Sequence, residues 1–83
     1  MIKTFDPVEH IVELKGEPYF LGQIHLFKEN SGAHNVEVNL ITTEGHKIFR
    51  HLGRDYKLED EREAISRGFQ ILREFIAMQE ADH

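Results

Sequence analysis

Histidines at positions 10, 25, 34, 46, 51 and 83 are the first residues of this chain that could ligate a metal or move a proton. Their spacing argues against a metal centre. A zinc site draws three or four ligands from fixed positions, and no HxH, HxxxH or HExxH spacing occurs here. On regular strands His10 and His25 fall on opposite faces of the first hairpin. His46 and His51, five residues apart, likewise fall on opposite faces of one strand. The chain has no cysteine, which removes thiolate ligands, a cysteine nucleophile and a disulfide framework together. No metal and no cofactor is expected.

Nucleophilic catalysis finds little support. Of the two serines, Ser31 lies in the turn-forming run ENSGAH and Ser66 on a helix surface. His34 is near Ser31, but no acid or oxyanion hole is placed to complete a catalytic set. Glu9 opposite His25 is a conceivable acid–base pair, although cross-strand pairs of this kind commonly just support a sheet. Gly45 and Gly53 are isolated turn glycines and make no phosphate loop. No catalytic residue is assigned, and the protein is not expected to be an enzyme.

Positive charge collects in one stretch, HKIFRHLGRDYK (46–57), where Lys47, Arg50, Arg54 and Lys57 face a single Asp55. The flanks are acidic: residues 1–45 carry three lysines against seven acids and residues 58–83 three arginines against seven acids, within a net charge of −5. Along a strand the bases split between faces, with Arg54 and Lys57 in the connection after Gly53. An anion contact at Lys47, Arg50, Arg54 and Lys57, with Phe49 or Tyr56 stacking, would make an accessory nucleic-acid-binding domain. The acidic flanks and divided bases weigh against it. Charges on an edge strand also discourage sheet-to-sheet pairing, which explains the segment without a ligand.

The elements follow from hydrophobic period. Strands are expected at about 8–15, 19–28, 35–43 and 46–52, joined by short turn-rich segments that favour an antiparallel meander. A tight turn is expected at Glu44-Gly45. Ile65, Phe69, Leu72 and Ile76 recur on one helical face, placing a helix at about 59–80 with Phe69 at the centre of its buried stripe. Asp60 and Glu63 have the spacing of a capping box. The expected fold is α+β: a four-stranded antiparallel meander followed by one helix packed on one sheet face, ββββα, in a single domain spanning 1–83.

Register then sorts the side chains. A three-residue loop, Gly16-Glu17-Pro18, gathers Val8, Val12, Leu14, Phe20, Ile24 and Leu26 on one face and sets Glu9 opposite His25. A one-residue slip would exchange the faces, so burial selects this register. It leaves Ile11, Tyr19, Leu21 and Phe27, with Ile41 and Phe49, on the face away from the helix. Ile71, Phe75 and Met78 widen the helix stripe beyond what one sheet covers. Either loops and the N-terminal segment around Phe5 cover this surplus, or association does. With only 83 residues and no staple, association is the stronger expectation. The expected interface is Ile11, Leu21, Phe27, Ile41, Phe49, Ile71, Phe75 and Met78, used in a homodimer or against a protein partner. No run approaches the ~20 apolar residues of a membrane span, and a small cytoplasmic protein of bacterial or phage type is expected.

Overall fold

Turn chemistry sets the first hairpin. Gly16 takes the left-handed conformation that a side chain resists (φ +78°), and Glu17 N donates to Leu14 O at 3.1 Å. The chain returns in the expected register, with Glu9 opposite His25 and His10 opposite Ile24. The computed structural model describes residues 8–81, and side chains only through residue 79; Phe5 and His83 lie outside that range. It shows β1 (Val8–Glu13), β2 (Phe20–Lys28), β3 (His34–Thr42) and β4 (Ile48–Leu58) in one open antiparallel sheet of order β1-β2-β3-β4. A single helix, α1 (Glu61–Ala81), follows and packs on the sheet, as the sequence implies. Among the described residues no helix is long and apolar enough to cross a membrane.

Two expectations change at β4. The turn before it spans residues 43–46, closed by Thr42 N donating to Lys47 O at 2.8 Å, and both Gly45 and His46 have positive φ. His46 is therefore a turn residue, not the start of a strand. At the other end, the strand does not stop at Leu52. It runs through Gly53 to Leu58, so Arg54 and Lys57 are strand residues. Gly53 serves packing rather than a turn: a Cβ there would lie 3.0 Å from Ile71 Cγ2. Register shifts between His34 and Val36, between Val38 and Asn39, and between Leu40 and Ile41 absorb the three extra residues of β4, as bulges on an edge strand do.

The helix begins with two side-chain caps on backbone N–H groups. Asp60 Oδ1 accepts from Glu63 N at 2.8 Å, and Glu63 Oε2 accepts from Glu59 N at 3.0 Å. Arg67 Nε ties the next turn to Asp55 of β4 at 3.1 Å. Ile24, Leu26, Val36 and Val38 of the central strands meet Leu58, Ala64 and Leu72 in the core. Leu72, at 2% exposure, is the most buried large side chain of α1, whereas Phe69 is half-buried at its margin. The expected stripe is present, but its centre is shifted because α1 lies across β2, β3 and β4 and not over β1. Val8 consequently stays exposed on the helix side of the sheet.

Helix and sheet touch most tightly at Gly68, where a Cβ would sit 2.5 Å from Ile24 Cγ2 and 3.2 Å from Val36 Cγ2. Alanine favours a helix over glycine by about 1 kcal/mol, yet a methyl here drives into two buried branched side chains. Overpacking of this kind costs about 1–3 kcal/mol. Gly68→Ala is expected to lower the urea midpoint despite its propensity gain. Leu72→Ala should cost more than Phe69→Ala, within the ~2–5 kcal/mol range for buried large-to-small changes. Equilibrium urea melts of the three variants check both orders.

Candidate functional site

No described element packs on the sheet face opposite α1, and a connected set of polar side chains crosses it. Three cross-strand rows supply that face. Ile11, Gln23, Asn39 and His51 form one; Glu9, His25, Glu37 and Arg54 a second; Glu13, Leu21, Ile41 and Ile48 a third. Period-2 alternation brings them to the same side, and the β4 bulges keep His51 and Arg54 there.

The network has a direction. Arg54 Nε donates to His51 Nε2 at 3.3 Å, and His51 Nδ1 meets Asn39 Oδ1 at 2.9 Å. Asn39 Nδ2 donates to Gln23 Oε1 at 2.9 Å, and Gln23 Nε2 donates to Glu9 Oε2 at 2.7 Å. Every donor points from the cation on β4 toward the carboxylate on β1. Reversing one amide would set acceptor against acceptor, so the whole chain is mutually consistent and polarises in one sense. It also assigns the imidazole: the neutral ring with hydrogen on Nδ1 both donates to Asn39 and accepts from Arg54. Asn39 Nδ2 has a second acceptor in Glu37 Oε1 at 3.1 Å; His51 Nδ1 lies 3.8 Å from that carboxylate, too far for a hydrogen bond.

Arg54 ends the chain in solvent. Its Nη1 donates to the Tyr56 hydroxyl at 3.0 Å, which raises its pKa above the ordinary arginine value. The middle members are sheltered: Asn39 is 1% exposed and Gln23 is 8% exposed. Around them Ile11, Phe27, Ile48 and Tyr56 remain exposed. Both ring nitrogens of His51 and both amide hydrogens of Asn39 are engaged within the chain, which leaves a scaffold rather than a free base or nucleophile.

The residues singled out in the sequence divide over several surfaces. Ile11, Leu21, Phe27 and Ile41 lie on this open face, but Ile41, whose register partners are Leu21 and Ile48, is fully buried and offers nothing to a partner. Phe49, expected there too, is turned by the bulge onto Phe20, with ring centroids 4.6 Å apart. It joins Leu14, Leu40, Phe75 and Ile76 around a cleft of about 410 Å³ near the C-terminal half of α1. Arg50 lies 5.8 Å over the Phe75 ring at that cleft. Ile71 is spent on the contact with Gly53, and Met78 is exposed on α1.

The four bases do not converge. Lys47 follows the turn, Arg50 faces the cleft, Arg54 belongs to the open face, and Lys57 has a left-handed backbone whose N–H donates to Asn35 Oδ1 at 3.0 Å. Glu9 and His25 are register partners, yet the carboxylate is taken by Gln23 and the imidazole lies against Phe27 at 4.4 Å. Among the described residues no group of three or more His, Cys, Asp or Glu is placed to hold a metal ion. The sequence reading missed the network. Its one visible signal is polar Gln23, Asn39 and His51 at strand positions that share a face.

Comparison with known protein families, with curated proteins and with solved structures finds no match to this chain.

Asn39 is the member of the network with most to lose. Asn39→Asp keeps its shape but places a carboxylate beside Glu37 and against Gln23 Oε1, leaving buried acceptors unpaired. The expected loss is about 1–3 kcal/mol. Glu9→Gln, at the exposed end, should change stability by no more than about 0.5 kcal/mol. Urea denaturation at neutral pH measures both.

Proposed function

We propose that this domain is a non-catalytic interaction module that works as a homodimer through the sheet face opposite α1. One observation carries the reading: that face presents exposed Ile11, Phe27, Ile48 and Tyr56 around polar groups already hydrogen-bonded to one another. Covering unpaired polar groups is costly, but groups satisfied inside the protein can be covered without that loss. The apolar residues around them contribute burial on association.

Sedimentation at micromolar concentrations is the direct test, with a concentration-dependent dimer expected. Phe27→Glu places a charge among the exposed apolar residues and should shift the population to monomer without altering the far-ultraviolet circular dichroism. A strictly monomeric wild type would overturn the proposal.

A further inference from the structure

We infer that the two copies meet face to face about a two-fold axis lying between the sheets, parallel to the strands and midway between β2 and β3. The inference rests on the open face being the working surface, and it specifies how that surface is used.

The observation is the order of one cross-strand row. Glu9, His25, Glu37 and Arg54 are successive register partners across β1, β2, β3 and β4, so they read acid, histidine, acid, base. A two-fold axis along the strands lays β1 over the partner's β4 and β2 over the partner's β3, at unchanged height. The row then meets its own reverse. Glu9 faces the second copy's Arg54, His25 faces Glu37, and both contacts repeat by symmetry. All four positions pair an acid with a base or a protonatable ring.

The alternatives are unfavourable. An in-plane axis across the strands, through the same row, would put Glu9 over Glu9, Glu37 over Glu37 and Arg54 over Arg54. Edge pairing of β1 with β1 would bring Glu9 and Glu13 of both copies together, and pairing of β4 with β4 would gather the bases of that strand. Like charges brought face to face oppose each of these.

The neighbouring rows agree with the strand-parallel axis. Reversing Ile11, Gln23, Asn39 and His51 puts amide over amide in the middle and Ile11 against the His51 ring. Reversing the third row brings the part-buried Leu21 of each copy near the axis, over the already buried Ile41, and leaves Glu13 at the rim opposite the exposed Ile48. Packed sheets stand about 10 Å apart, a gap that facing Glu and Arg side chains bridge from the two sides.

The experiment is a charge exchange between copies. Glu9→Arg alone and Arg54→Glu alone each turn two attractive contacts repulsive, and each should raise the dimer dissociation constant by about tenfold or more. Mixing the two variants restores both pairs, so an equimolar mixture should form heterodimers with affinity near that of the wild type. Circular dichroism confirms that each variant is folded. Sedimentation of the separate and mixed samples reads the result.

If the wild type dimerises but the single variants bind as tightly as it does, or the mixture regains nothing, this arrangement is wrong while the open face can remain the working surface. A monomeric wild type removes both. Should Arg54→Glu fail to fold, salt supplies the second measurement. The two symmetry-related Glu9–Arg54 pairs require the dissociation constant of the wild type to rise between 50 mM and about 500 mM salt, and a salt-independent constant would overturn the arrangement.

Discussion

The structure depends on how closely α1 can lie on the sheet, and three glycines set that distance. Gly22 makes room for Leu72, Gly53 for Ile71, and Gly68 brings the helix backbone against Ile24 and Val36. Two of these are on strands and one is on the helix, so the contact is relieved from both sides. Where no side chain intervenes, the branched residues opposite come up against the glycine backbone. A helix seated this low covers β2, β3 and β4 and stops short of β1. That placement divides the molecule into a sealed face and an open one.

On the open face, over which no described element packs, side chains are organised by hydrogen bonding. A guanidinium on β4 and a carboxylate on β1 are joined through an imidazole and two amides, with every donor aimed the same way. Because the buried middle members are satisfied internally, the face does not need water to meet their hydrogen-bonding demand. The ends of the chain are charged and exposed. The result is a surface with an electrostatic direction across the strands, fixed by backbone register and held by side chains that constrain one another.

The edges behave differently from the faces. β4 is long, basic and out of simple register with β3 at three places, and β1 is short and acidic. Each is poorly suited to extend a sheet with its own copy, since the bulges interrupt the ladder and like charges face one another. Association through a face is therefore less hindered than association through an edge.

What the sequence by itself determined is the order and type of the elements, the first hairpin register and the helix cap. These rest on interactions between residues close along the chain or on strict periods: alternation for strands, the three- and four-residue recurrence of Ile65, Phe69, Leu72 and Ile76, and the carboxylates of Asp60 and Glu63 that accept from Glu63 N and Glu59 N. The tertiary structure alone decided the rest. Gly53 looked like a turn because isolated glycines often mark one, but the approach of Ile71 made it a packing position inside a strand. That choice carried β4 on to Leu58, turned Phe49 onto Phe20 through a bulge, and set His51 and Arg54 on the face of Asn39 and Gln23. A polar residue at an alternating position says only which way it points. Whether it meets water or a partner depends on register accumulated over four strands, and one bulged residue is enough to change it.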